Sequence, residues 1–517
     1  MALTGLSPTR RTPGIVREFV FGAGISSGVS SDRPVLIFGN KTSAGSETTN
    51  TIGAPIASDE DCVLRFGRKS EARLLYRQFV AINPEARVYI IAPPESGSGT
   101  AATIDITFTN TSTAATTGVV TILGQDITFP ITNAQTATQI GEACRDAINA
   151  FADGSLPLTA SASTGVVTLT TANLGVRQDY VLARVRAYIV APTSIVTTTV
   201  SVGALTNGTN EDDFSTAITT AALGEYTYQI SPKFSTSAPT ATDNGVGEHI
   251  AMIRDQALPI NGKSQMVVFG LVGTQAQSST VATDSDANSV YAFFFASKNS
   301  DWTPGMIAAH LCGVMRSQQM ADPAANLAGY TNTDTTRFDC PVPYSKSDWW
   351  TPTEIEQLLK DGVCPIGARA LGQAYLVRHI TSRSLNDQGT KDYRASEGHI
   401  TSVMFTIWDV ISTRYREQKQ GKVADDPLPG AKPVPGVDTP QTLGALIRNV
   451  FVAASGPAPF GLYGSPILDP SPSVLASSLD SILVQRRPGG LAASFNLYAV
   501  QHNLFSEFTL REASPAY

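Results

Sequence analysis

Cysteine is scarce in this chain: Cys62, Cys144, Cys312, Cys340 and Cys364 are odd in number, widely separated and free of any CxxC pair. That pattern fits neither a disulfide framework nor a thiolate zinc site, so reduced, cytoplasmic synthesis is the expectation. Histidine is equally thin, and His249, His310, His379, His399 and His502 make no HExxH and no His/Cys cluster. Each therefore reads as a core or surface histidine before it reads as a metal ligand. Charge is low too, at 16% of residues against about 25% in an average protein. Basic residues (37) trail acidic ones (44), and the net charge of -7 argues against a nucleic-acid binder, whose affinity comes from clustered Lys and Arg. No apolar run approaches the ~20 residues that span a bilayer, and the opening MALTGLSPTRRTPG has no apolar signal core. The expectation is a soluble protein without an export signal, binding no nucleic acid and inserting in no membrane.

Glycine (42) and proline (31) are plentiful instead, set among many Thr, Ser and Ala, as in weakly charged β-rich assemblies. The 517 residues predict about three to four domains at roughly 150 each. Residues 12 to 21, TPGIVREFVF, read as an extended arm, because Pro13 and Gly14 punctuate a β-branched and aromatic run. PVLIFG (34 to 39), a helical stretch over 59 to 82 and RVYIIAP (87 to 93) form a βαβ-like opening. At Pro93-Pro94 the composition turns Thr- and Gly-rich until about 205. This segment reads as a β-rich domain with one helix, whose face is Ile140, Cys144, Ala147, Ile148 and Phe151, ending in strands over 180 to 191 and 194 to 202.

From 206 strands and helices alternate, as in a parallel sheet covered by helices: strands at 226 to 231, 266 to 272 and 290 to 297, with helices between. Thr303-Pro304 and the capping box Thr351-Pro352-Thr353-Glu354 mark helix starts, and Gly362 a left-handed stop. A strand over 374 to 382, a helix over 397 to 417, a proline-rich linker (423 to 440) and a helix over 441 to 454 follow. Strands at 481 to 486, 493 to 500 and 504 to 510 close the chain, so both ends read as edge strands that need a partner.

Catalytic motifs are weak. Gly24-Ile25-Ser26-Ser27-Gly28 spells a nucleophile elbow but is followed by Arg33-Pro34 and another strand, where the elbow needs a helix. Asp284, Asp286 and Asn288 imitate a calcium loop whose turn and twelfth positions hold Ser289 and Phe295. Gly245-Val246-Gly247 is too short for a dinucleotide fingerprint, and no GxxxxGK[ST] exists. The acidic runs Asp59-Glu60-Asp61 and Glu211-Asp212-Asp213 read as solvated loops or helix starts. The basic cluster Arg414, Arg416, Lys419 and Lys422 reads either as a helix end, with cations at its negative pole, or as a contact patch for an acidic partner. No catalytic residue, metal ligand or cofactor follows from any of these.

The order of motifs resembles the tail sheath proteins of contractile bacteriophage tails, most closely the Mu-like branch. Pro13-Gly14-Ile15 with Glu18, Phe66-Gly67 with Ser70, and Gly99-Thr100-Ala101 before Ile104, Ile106 and Phe108 carry the first part of the resemblance. Arg316 with Asp322-Pro323-Ala324, Leu358-Leu359 with Asp361-Gly362-Val363, Arg378 with Ile380-Thr381, and Asn386, Gly389 and Asp392 carry the rest.

The resemblance implies a mixed, multidomain α+β or α/β fold: an α/β sheath core with an inserted β-rich domain and extended terminal strands. The expected parts are an arm and first core segment (1 to 94), the inserted outer domain (95 to 205), the α/β core (206 to 345) and a C-terminal domain with linker and strand arm (346 to 517). It implies a structural, non-enzymatic subunit of the virion, assembled in the host cytoplasm. That subunit polymerises helically around the tail tube and contracts to drive it through the host envelope, without a cofactor. Its partners would be copies of itself, the tube protein, and baseplate and tail terminator proteins. Ile15, Arg17, Phe19, Phe21, Phe495, Leu497, Leu504, Phe508 and Leu510 would form inter-subunit strands, and Arg414, Arg416, Lys419 and Lys422 would touch the tube. The alternative from another class is an α/β hydrolase with an appended carbohydrate-binding β domain.

Overall fold

A computed structural model describes residues 33–190, 198–233, 245–257, 263, 265–284, 286–325, 327, 343, 345–368, 374–385, 389–391, 397–418, 426, 439–456, 468, 470–487 and 490–494. The chain divides into two compact units, one of Asp32–Gln318 with Leu327–Thr401 and one of Met1–Ser31, Gln319–Asn326 and Ser402–Tyr517. The fold is mixed α/β with several sheets, as expected.

The larger unit opens with β1 (Val35–Phe38), α1 (Asp59–Phe66), α2 (Glu71–Val80) and β2 (Val88–Ile91). The single helical stretch expected over 59 to 82 is in fact two helices. Gly67, at φ 95°, closes α1 with its N–H on the Val63 carbonyl, and Ser70 restarts the chain by accepting from Arg73 N. The acidic run 59 to 61 is the first turn of α1 behind the N-cap Ser58, where negative charge is favoured.

Next come β3 (Thr103–Thr109), β4 (Thr116–Ile122), β5 (Gln125–Ile131), α3 (Ala137–Ala150), β6 (Leu158–Ser163), β7 (Val166–Thr171), α4 (Asp179–Leu182), β8 (Arg186–Ile189) and β9 (Thr199–Val202). They build two antiparallel sheets, ordered β6-β7-β3-β9 and β5-β4-β8. The strand expected over 180 to 191 is corrected to a helical turn followed by a short strand. Val181 and Leu182 are adjacent and both buried, which a turn of helix permits and a strand with one covered face does not.

The chain then runs α5 (Ser215–Ala221), β10 (Tyr228–Ser231), α6 (Val246–Gln256), β11 (Met266–Val272), α7 (Gln275–Ala282), β12 (Ala292–Ser297), α8 (Pro304–Ala321), α9 (Pro352–Lys360), β13 (Cys364–Ala368), β14 (Ala374–Leu376) and α10 (Gly398–Gln418). A seven-stranded sheet of order β14-β13-β12-β11-β10-β1-β2 results, parallel except for β14. Its central strands are buried along nearly their whole length, the signature of a sheet covered on both faces. Phe214, Ala217, Ile218 and Ala221 cover one face of β1 and β2. Val246, Ile250 and Ile253 of α6 pack with Phe269 and Phe294 beside them. The strand expected over 374 to 382 is three residues long, because Ile380 instead hydrogen-bonds the Cys364 thiol.

In the smaller unit, α10 residues Val403, Ile407, Val410 and Ile411 share a core with Leu446, Ile447, Val450 and Phe451 of α11 (Pro440–Ser455). Helix α12 (Pro472–Asp480) and the hairpin β15 (Leu483–Arg487) and β16 (Gly490–Ser494) complete its described part. Among the described residues no helix is long and apolar enough to cross a membrane.

Four of the five histidines are buried, and His502 lies outside the described residues. His249 Nε2 lies 2.7 Å from Gln229 Oε1, with its ring against Phe38 and Phe269, and His379 stacks on Phe293. Burial pushes both imidazoles down to about 3, with His399 adding to the effect at His379. The unfolded chain, with ordinary imidazoles, then binds more protons between that value and about 6.5. Stability is therefore full above this window and falls as pH drops through it, by about 1.4 kcal/mol per pH unit for each histidine. Denaturant titrations of His249→Gln and His379→Gln between pH ~4 and ~6 should each lose that slope; pH dependence identical to the parent would contradict it.

Candidate functional site

Strand order fixes where a site belongs in such a sheet. The chain passes from β1 to β2 at one edge and returns to β10 on the other side of β1, so the order reverses between β1 and β10. A parallel sheet opens a crevice beyond its carboxyl ends at such a reversal, and ligands bind there. Asn40 lies two residues beyond β1 and Lys233 two beyond β10, so both flank that crevice.

Arg177 fills it. A short 3₁₀ turn, Val176–Gln178, carries this residue in from the segment between β7 and α4. Gly175 directs the turn at φ 98°, where a side chain would strain the backbone and its Cβ would lie 2.9 Å from the Asn210 carbonyl oxygen. Arg177 Nη1 donates to both carboxylate oxygens of Glu71 (2.8 and 2.9 Å), and Nη2 donates to Asp212 Oδ2 (2.7 Å) and Asn40 Oδ1 (3.1 Å). The Arg177 side chain is 3% exposed and that of Asp212 0%. Burial alone would depress the guanidinium, but attraction and hydrogen bonds from Glu71 and Asp212 outweigh it and hold the group above its ordinary value.

The surrounding bonds stitch three chain segments together. Asn40 Nδ2 donates to Asp212 Oδ2, and the Asn40 and Ser96 backbone N–H groups donate to Glu71 and Asp212. Glu71 is the first residue of α2, and its own N–H donates to Asn173 Oδ1, so the segment between β7 and α4 caps a helix of the core. Asn173 Nδ2 also donates to the Lys41 carbonyl and to Glu95 Oε1. Burial pushes the Glu95 carboxyl up, against the pull of its bonds from Asn173 and Leu174 N. Lys233 pairs with Glu211 at 2.7 Å, and Arg177 and Lys233 both lie over the Phe214 ring, 5.0 and 5.3 Å from its centroid. Beside Arg177 lies a crevice of about 10 Å³, lined by Glu71, Gln178, Pro232 and Thr303 among others. That is the room of one water molecule.

Asp212 is the chief correction to the sequence reading. The run 211 to 213 reads from sequence as a solvated loop or a helix start; its flanks are exposed, with Asp213 accepting from the first N–H of α5, but the middle carboxylate is the buried partner of Arg177. Arg177 gave no signal of its own, because a lone arginine in a Thr-rich stretch is indistinguishable from a surface one. The calcium-like residues are used as structural acceptors: Asp284 accepts from Asp286 N, and Asn288 Oδ1 accepts from Ser384 and Leu385 N of a distant segment. The described thiols Cys62, Cys144, Cys312 and Cys364 are buried, and burial raises each of them, to about 12 for Cys62, Cys144 and Cys364.

Ile15, Arg17, Phe19, Phe21, Phe495, Leu497, Leu504, Phe508 and Leu510 lie outside the described residues, as do Ser26, Cys340, Lys419 and Lys422. Arg414 and Arg416 belong to the last turns of α10, and Arg414 is half-buried.

Removing one member of a buried ion pair strands the other charge, at about 3–5 kcal/mol. Asp212→Ala should lower unfolding stability by that amount in a denaturant titration, whereas Lys360→Ala, which breaks an exposed pair with Glu356, should change it by less than about 1 kcal/mol. Equal effects from the two variants would refute the buried cluster's weight.

No family model matches the chain. It is 24% identical over 461 residues to a Mu-like prophage FluMu tail sheath protein of Haemophilus influenzae, with 86% of each chain covered. Solved structures of sheath tail proteins from Desulfitobacterium hafniense (11% identity, 85% of this chain and 88% of that one, TM-score 0.41) and Listeria innocua (10%, 93% and 100%, 0.45) are also similar. So is a chain of the anti-feeding prophage baseplate (8%, 98% and 99%, 0.45). Over most of its length, this chain is thus similar in sequence to a Mu-like prophage tail sheath protein.

Proposed function

We propose that this protein is a structural subunit of a contractile phage tail sheath, and that it acts mechanically and not as an enzyme. The observation that carries this reading is the similarity, over 461 residues, to a protein named as a tail sheath protein. The sheet's crevice supports it: the position where an α/β enzyme keeps its ligand is spent on Arg177, Glu71 and Asp212. Among the described residues, the buried histidines and the buried, raised thiols support it in the same way, since their side chains are withdrawn from solvent.

In this reading subunits polymerise helically around a tail tube in an extended metastable state, and the sheath contracts to drive the tube through the host envelope. The parts are the arm and first core segment (1 to 94), an inserted outer domain (95 to 205), the core (206 to 345) and a C-terminal domain (346 to 517). Strands at 14 to 21 and 504 to 510 pair with neighbouring copies, a linkage of main-chain hydrogen bonds that repeats head to tail without closing. Arg414, Arg416, Lys419 and Lys422 face the tube, where many weak ion pairs set register and release together. Baseplate and terminator proteins cap the polymer. It is assembled in the host cytoplasm and resides in the virion.

Electron microscopy of the purified full-length protein should show helical tubes. Deleting 14 to 21 or 504 to 510 should abolish the tubes while circular dichroism and sedimentation report a folded monomer. Discrete particles at every concentration would overturn the proposal, and unfolding of both deletion variants would overturn the role given to the arms.

A further inference from the structure

The chain returns from β9 to α5 through residues 203 to 214, and this return carries Asn207-Gly208. The chemistry of that dipeptide is general. The glycine amide nitrogen, unhindered by a side chain, attacks the asparagine side-chain carbonyl carbon. The N–Cγ bond forms, the Cγ–Nδ2 bond breaks, and the leaving nitrogen departs as ammonia with the proton that the glycine amide gave up. Water then opens the succinimide to aspartate or isoaspartate.

Asn207 is exposed, so burial does not protect it. Its neighbour is held instead. Gly208 is buried, and its N–H donates to Asp179 Oδ1 at 2.6 Å. A Cβ on Gly208 would lie 2.5 Å from the Gly175 carbonyl oxygen, so the backbone there is tightly packed. The flanks are pinned as well. Thr206 and Thr103 exchange backbone hydrogen bonds of 2.8 and 2.9 Å, and the hydroxyls of Thr209 and Thr100 lie 2.9 Å apart.

Two consequences follow. The Gly208 nitrogen is not free to swing toward Asn207 Cγ. Its deprotonated form, which is the nucleophile, would also have to arise against a carboxylate, and like charges at that separation repel strongly away from bulk water. We propose that Asn207 is a deamidation site kept silent by Asp179, and that opening of this return loop starts the reaction. Isoaspartate adds a methylene to the main chain, so Thr206 and Gly208 can no longer both regain their partners on Thr103 and Asp179. One opening event thereby becomes permanent. The inference stands independently of any role in a sheath.

Full-length protein is incubated at about pH 8, folded or in denaturant, and mapped by tryptic mass spectrometry. The three Asn-Gly pairs of the sequence, at 207, 244 and 261, fall on separate tryptic peptides. Asn207 should convert at least tenfold more slowly in the folded parent than in denaturant. Asp179→Ala, confirmed as folded by its melting transition, should remove most of that protection, and Asp179→Asn, which keeps an acceptor oxygen, should retain part of it. Hydrogen exchange of the Gly208 amide in the parent gives a reading that needs no variant, with strong protection expected. Equal rates in folded and denatured parent, an unprotected Gly208 amide, or a folded Asp179→Ala as silent as the parent would each overturn the proposal.

Discussion

A guanidinium taken out of water at the mouth of a parallel sheet is the constraint around which the larger unit is organised. Arg177 sits there 3% exposed, and such a charge is tolerable only if every neighbouring segment supplies something to it. Glu71 comes from the first turn of α2, Asn40 from the end of β1 and Asp212 from the return after β9. These residues are far apart in sequence, so the cluster forms only when β1, α2, the Arg177 turn and the 211 to 213 segment are all in place. Its net contribution to stability is modest, because desolvation offsets most of the attraction. Its contribution to specificity is larger, since any misplacement of one segment leaves a buried charge without its partner.

The cluster also decides what the sheet can do. A doubly wound sheet ordinarily keeps its crevice open for a ligand. Here that opening has become a joint, in which the segment bearing β3 to β9 is tied to the core by charge-assisted hydrogen bonds. Other ties act along the same seam: Arg186 grips Asp301 through two bonds, Arg77 donates to Ser155, and Arg68 donates to the Asp153 carbonyl. A subunit that passes force from one copy to another, as proposed, needs such a seam more than it needs a cavity.

Much of the scaffold was legible from local chemistry. The run MVVFGLV is strand β11 to the residue, and the box Thr351/Glu354 caps α9 as its spacing demands. Of the expected face, Ile140, Cys144 and Ile148 are buried in α3, while Ala147 is half-buried and Phe151 follows the helix's last residue. Errors arose where one pattern has two solutions: VLARVRAYI is β-branched enough for a strand, yet its start folds as a turn of helix. The joint was illegible for a different reason. Asp212 and Arg177 acquire meaning only from each other, and nothing in the 34 residues between them announces the contact. The family resemblance, resting on the order of many weak motifs, was readable for the opposite reason, because no single contact had to be inferred.

Hydrogen exchange with mass spectrometry on Arg177→Met against the parent tests the joint most directly. Methionine keeps most of the volume and removes the charge. Exchange should be faster along the seam, at 40 to 42, 71 to 74, 95 to 100, 173 to 179 and 206 to 214, with β11 and β12 unchanged. Exchange unaltered at those segments would contradict the claim that Arg177 holds them together.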